Sequence, residues 1–168
     1  MKQCITFFLL VLMSSHSLFA KQSVIYLVRH AEVLYKNGNN NPSLTEVGKE
    51  RAKSLQAFLT DKPITKVLAT RYKRTQETAS PTASFKKIPV EVEDLNEKIV
   101  AEILSLQHEA LLIASHSNTI PKILYLVGAT TEELPEIDHS VFNKIFILTV
   151  KEENNSKIVS LEVKTYGI

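Results

Sequence analysis

Val24-Ile25-Tyr26-Leu27-Val28-Arg29-His30-Ala31-Glu32 is the stretch whose reading decides the fold. Five consecutive apolar residues, mostly β-branched or aromatic, read as a strand buried on both faces, the condition of strands in parallel sheets. The run ends on a guanidinium and an imidazole. In open α/β sheets ligands bind in the crevice outside the carboxyl ends of the strands, so Arg29 and His30 stand where a reactive site is expected. A cation beside an imidazole suits a phosphate: the guanidinium clamps oxygens while a ring nitrogen attacks or donates.

Working outward, apolar runs alternate with helical periodicities. A polar loop over Tyr35 to Ser43 precedes a helix on which Leu44, Val47, Ala52, Leu55 and Leu59 share a face. Thr45 is placed to cap that helix, Glu46 favours its first turn, and Pro63 ends it. Gly48 inside the helix costs about 1 kcal/mol relative to Ala, which close approach to the sheet explains. Lys66 to Thr70 reads as a second strand, followed by a helix from Tyr72 that stops around Pro81 to Ala83. Pro89 to Glu93 alternates like an edge strand, and Glu97 to Gln107 is amphipathic. Ala110 to Ala114 is a third buried strand, Asn118 to Val127 a helix ended by Gly128, and Lys144 to Val150 with Lys157 to Lys164 a β-hairpin. This β-α-β-α order predicts an α/β fold: a mostly parallel mixed sheet with helices on both faces and a C-terminal antiparallel hairpin.

Residues 1–20 stand apart. Lys2 is their only charge, Ile5 to Met13 is almost wholly apolar, and Ser14 to Ala20 is a small-residue stretch, the pattern of a secretory signal peptide too short to span a bilayer comfortably. Cleavage after Ala20 leaves residues 21–168 as one domain, exported to a periplasm or secreted, without stable membrane association. It also removes the one cysteine, Cys4, and with it any disulfide, thiol nucleophile or thiolate metal site. The formal charge drops from +2 to +1 with Lys2, so nothing points to nucleic acid. Asn154-Asn155-Ser156 matches a glycosylation acceptor, but a polar turn between the last two strands explains it better. The oligomeric state is not written in the sequence.

Two further strand ends repeat the first pattern. The second strand leads to Arg71, Lys73 and Arg74, and the third to Ser115-His116-Ser117-Asn118. Arg29, His30, Arg74 and His116 thus converge on one sheet edge with no cluster of acids to hold a metal, the makings of an anion site. A zinc site built from His30, His116 and Glu97 lacks the short ligand spacing such sites use.

Taken together the chain resembles the histidine phosphatase superfamily, also called phosphoglycerate-mutase-like, from Val24 to about Gly128. The matching runs are Val28-Arg29-His30-Ala31-Glu32, Leu44-Thr45-Glu46-Val47-Gly48, Ala69-Thr70 with Arg74-Thr75-Gln76-Glu77-Thr78-Ala79, and His116-Ser117-Asn118-Thr119-Ile120. They occur in the family's order, with Asn118 replacing a common glycine. The resemblance implies that His30 is a nucleophile forming a phosphohistidine, that Arg29, Arg74 and His116 hold the phosphoryl oxygens, and that Glu97 is the proton donor, with Asp94 second to it. Imidazole's unperturbed pKa near 6.5 leaves a neutral fraction for attack, which nearby arginines increase. Ser117 and the backbone N–H groups of the helix that Asn118 opens add phosphate donors. Glu97 equally suits a first-turn helix acid.

The expectation is therefore a metal-independent phosphatase acting on small phosphomonoesters without a cofactor. The alternatives are a phosphoglycerate-mutase-type phosphotransferase and a non-catalytic phosphate-binding protein of the same fold. His108 reads as a turn residue, His139 as a residue preceding a strand with the pocket rim as the alternative, and Arg71 as a solvated arginine.

Overall fold

The computed structural model describes residues 22–35, 38–154 and 156–167. The signal-peptide reading of residues 1–20 lies outside them. Among the described residues a six-stranded sheet runs in the order β3-β2-β4-β1-β5-β6. Its strands are β1 (Gln22–Arg29), β2 (Ile64–Ala69), β3 (Val90–Val92), β4 (Ala110–Ser115), β5 (Lys144–Glu153) and β6 (Ser156–Thr165). The helices are α1 (Glu46–Phe58), α2 (Lys73–Lys86), α3 (Asn96–Ser105) and α4 (Thr119–Leu126). The first four strands pair in parallel, with Val28 opposite Ala114 and Ala69 opposite Ala114. β5 runs antiparallel to β1 and β6 antiparallel to β5, the expected mixed sheet.

The apolar runs of β1 and β4 are continuous because both faces are covered. Successive side chains point to opposite sides of a strand. Ile25, Leu27, Leu111 and Ile113 meet Ile99 and Ile103 of α3 and Ile120, Ile123 and Leu124 of α4. Tyr26, Val28, Leu112 and Ala114 face the other way, against Leu55 of α1 and Ala79 and Ala83 of α2. No described helix is long and apolar enough to cross a membrane.

Local signals set most boundaries. Thr45 caps α1, its Oγ1 accepting from the Gly48 N–H at 3.1 Å. After α4, Gly128 takes φ +74°, and its N–H reaches the Tyr125 carbonyl at 2.9 Å, a left-handed helix exit that favours glycine. His108 also has a positive φ, of 63°, in the turn before β4. Asn154, at φ 51°, lies in the turn between β5 and β6. One expectation fails: α2 does not stop at Pro81 but continues to Lys86. Thr82 and Ala83, the residues after Pro81, are buried, so tertiary packing holds the last turn despite the missing N–H. Gly48 is also explained differently. A Cβ there would strike the backbone carbonyl of Glu32, in the chain leaving β1, rather than the sheet.

Candidate active site

The carboxyl ends of β1, β2 and β4 open into a cavity of about 520 Å³. Arg29, His30, Arg74, His116, Ser117 and Asn118 line it, together with Tyr35, Tyr72, Thr119, Glu136 and His139. The parallel register puts Arg29 opposite Ser115, so the two imidazoles that follow, at positions 30 and 116, emerge side by side. Their rings meet edge to face with centroids 5.5 Å apart. The His30 N–H also donates to the Ser115 carbonyl at 2.9 Å, locking the two strand exits together.

The proton on each ring follows from its partners. His30 Nδ1 lies 2.8 Å from the Ala31 carbonyl, which can only accept, so Nδ1 carries the hydrogen and Nε2 keeps a bare lone pair. Burial, with the charges of Arg74 and Arg29 adding to it, lowers the His30 pKa to about 4. His116 is lowered further, to about 3, by burial and then by Arg74, His30 and Arg29. Both rings are neutral at neutral pH, so His30 needs no separate base to attack.

His116 Nε2 is 3.0 Å from Thr70 Oγ1, which is 2.8 Å from Thr75 Oγ1. Thr75 in turn faces the Tyr72 carbonyl at 2.8 Å and the Thr70 carbonyl at 3.0 Å. A carbonyl cannot donate, so Thr75 gives its proton there, Thr70 gives its own to Thr75, and His116 Nε2–H completes the chain by donating to Thr70. The opposite polarity would forfeit one of these bonds.

The arginines are held differently. Arg29 donates from one terminal nitrogen to the carbonyls of Asp138 and Val141, each at 3.0 Å, and its guanidinium stacks 4.1 Å from the Phe142 ring. It therefore braces the 129–143 segment as well as facing the cavity. Arg74 stands in the first turn of α2, over the Tyr72 ring at 4.2 Å. Its Nε and one terminal nitrogen are buried without a hydrogen-bond partner. Buried donors left unsatisfied are costly, and the Arg74 side chain that carries them is also part of the cavity lining.

The remaining candidates stand both in the cavity lining and outside it. Ser117 Oγ donates to Glu136 Oε1 at 2.6 Å. Asn118 occupies the cap position of α4 without a capping bond from its side chain. The Thr119 and Ile120 N–H groups both return to the His116 carbonyl, at 3.2 and 3.1 Å, so that helix start presents fewer free donors than its sequence suggests. Glu97 is exposed in the first turn of α3 and does not line the cavity. Asp94 accepts from the Arg71 backbone N–H at 2.9 Å instead of facing the site. His139 is among the cavity-lining residues, its Nε2 3.9 Å from Glu136 Oε1. The cavity's carboxylate is thus Glu136, which the sequence reading did not single out; an aperiodic loop gives no sign of which acid turns inward.

Comparison with known proteins agrees with this fold. The family description "Histidine phosphatase superfamily (branch 1)" matches residues 25–98. Over that stretch, a little under half of its length, the chain is similar to the histidine phosphatase superfamily. No curated protein matches the sequence. Among solved structures, the alpha-ribazole phosphatase from Shigella flexneri aligns at TM-score 0.63 and 19% identity over 84% of this chain and 96% of its own. Bacillus stearothermophilus YhfR aligns at TM-score 0.63 and 14% identity over 83% and 96%. The protein histidine phosphatase SixA complexed with tungstate aligns at TM-score 0.63 and 18% identity over 84% and 96%. At these identities the structural likeness speaks for the fold.

Proposed function

We propose that this protein is a histidine phosphatase that hydrolyses small phosphomonoesters through a phosphohistidine on His30, without a metal or other cofactor. The observation that carries the reading is the committed tautomer of His30. Nδ1 is fixed on the Ala31 carbonyl, and the free Nε2 belongs to a ring kept neutral beside two arginines. The guanidinium groups of Arg29 and Arg74 in the cavity lining suit the equatorial oxygens on which charge spreads during phosphoryl transfer. An oxyanion also competes with Thr70 for the proton on His116 Nε2. The tungstate complex of the SixA neighbour supports an oxyanion site in this fold. Export belongs to the same proposal, on the composition of residues 1–20 alone.

The test is acid-quenched turnover of a labelled phosphomonoester in the presence of a chelator. Acid-labile label is expected on His30, and His30→Ala should lower kcat at least about a thousandfold, roughly 4 kcal/mol of barrier. Label on a serine, activity surviving the alanine, or loss of activity in EDTA with rescue by zinc would each refute this mechanism.

A further inference from the structure

Once His30 attacks, the departing oxygen needs a proton, and the residues assigned to the phosphate cannot supply it. Arg29 and Arg74 hold their protons too tightly to act as acids. Both imidazoles are neutral, and the proton on each is engaged, one with the Ala31 carbonyl and one with Thr70. Glu97 is outside the cavity lining. Glu136 is the one carboxyl among the described lining residues. It is half-exposed, so it exchanges protons with solvent between turnovers. Its position is fixed by short contacts to the site itself. Ser117 Oγ donates to its Oε1 at 2.6 Å, the neighbouring Ile137 N–H donates to the Ser117 carbonyl at 3.2 Å, and Arg29 grips the carbonyls of Asp138 and Val141 farther along the same segment. Arg29 and His139 are the cationic or titratable groups that face it.

We infer that Glu136 is the general acid–base of this site, protonating the leaving oxygen and then activating the water that clears the phosphoenzyme. The inference rests on the phosphatase reading above. A phosphomonoester takes up its second proton with a pKa of about 6, so the monoanionic substrate brings a proton with it that the Glu136 carboxylate accepts. The bond from His30 Nε2 to phosphorus forms as the ester P–O bond breaks. The electron pair of that bond stays on the oxygen, which takes the Glu136 proton and leaves as an alcohol. Water then attacks phosphorus and gives a proton back to the Glu136 carboxylate, while the N–P electron pair returns to His30 and inorganic phosphate departs. Glu136 then passes that proton to the departing phosphate, which leaves as its monoanion, so the carboxylate ends as it began the cycle, and Ser117 is freed to turn its hydroxyl toward the phosphoryl group whenever the carboxyl is protonated.

The experiment compares Glu136→Gln with the parent protein on an alkyl phosphate and on p-nitrophenyl phosphate, by kcat/KM and by acid-quenched phosphohistidine. Gln keeps an oxygen for Ser117, so a merely positional role survives the substitution. For the alkyl ester, kcat/KM is expected to fall a hundred- to ten-thousandfold, the usual worth of proton transfer, and for the nitrophenyl ester less than about tenfold, since that leaving group departs unaided. With the nitrophenyl ester, phosphohistidine should accumulate in the variant because water activation is lost. Equal losses on both esters, no loss on either, or the same split in Glu97→Gln and not in Glu136→Gln would overturn the assignment to Glu136 and leave the nucleophile standing. Turnover by the parent protein with no phosphohistidine would instead overturn the phosphatase reading and this inference with it.

Discussion

Thr78 connects the loop that carries His30 to the helix that carries Arg74. Its Oγ1 accepts from the Ala31 N–H at 2.9 Å and donates to the Arg74 carbonyl at 2.6 Å, in full burial. Ala31 is therefore held at both ends, its N–H by Thr78 and its carbonyl by the His30 ring. Thr78→Val keeps the shape but strands a buried N–H. The expected loss is about 1–3 kcal/mol of stability, measured by urea unfolding. A drop in kcat larger than any change in KM should accompany it, because the ring orientation loosens while the arginines remain. The sequence shows Thr78 inside a recognisable run, yet it cannot show this role, since the partners Ala31 and Thr78 are 47 positions apart. The same limit applies to Thr70 and Thr75, which set the proton on His116, and to Glu136. Arg29, His30, Arg74 and His116 were legible because strand ends in a parallel sheet must open on one edge. The sequence around Glu97 suited both a proton donor and a helix first turn, and the structure places it in the first turn of α3.

At the scale of elements, the start of α1 shows how local rules and tertiary contacts interlock. Thr45 caps the helix, its own N–H donates to the Glu32 carbonyl at 2.9 Å, and Arg51 from the next turns pairs with the Glu32 carboxylate at 2.6 Å. Glu32 is thus the point where α1 clasps the chain leaving β1, and Gly48 is the residue that lets it come close. Gly48→Ala gains about 1 kcal/mol in helix propensity. It also puts a methyl group against the Glu32 carbonyl, and backbone can yield only by moving the loop next to His30. Overpacking of that kind costs about 1–3 kcal/mol, so the net expectation is a less stable protein whose urea midpoint falls, with activity reduced alongside. A more stable Gly48→Ala protein would refute the close-approach account. The sequence announced a close approach by placing glycine mid-helix, but it named the sheet as the neighbour because only the burial pattern was visible. Pro81 misleads for a related reason: the proline penalty is local, whereas the burial of Thr82 and Ala83 that outweighs it depends on how α2 packs on the sheet.

At the scale of the whole molecule, the burial that makes His30 a nucleophile also ties stability to pH. Unfolded, both imidazoles titrate near 6.5. Folded, His30 titrates at about 4 and His116 at about 3, each chiefly because burial disfavours the charged ring. Between these values the unfolded chain binds more protons than the folded one, so stability must rise with pH in that window. The contribution is complete above about pH 6.5 and is lost as pH falls toward 4. Each imidazole sets a ceiling of about 1.4 kcal/mol per pH unit on the slope. Urea unfolding at pH 7, 6 and 5 should therefore show a steep loss, and His30→Asn should reduce the slope by one imidazole's share, His116→Asn by another. Kinetically the same numbers predict that the acid limb of kcat/KM lies near pH 4, well below the usual histidine range. An acid limb near 6.5, with a stability that is flat from pH 7 to 5, would mean that these rings are hydrated, and the neutral-nucleophile argument would fall with it.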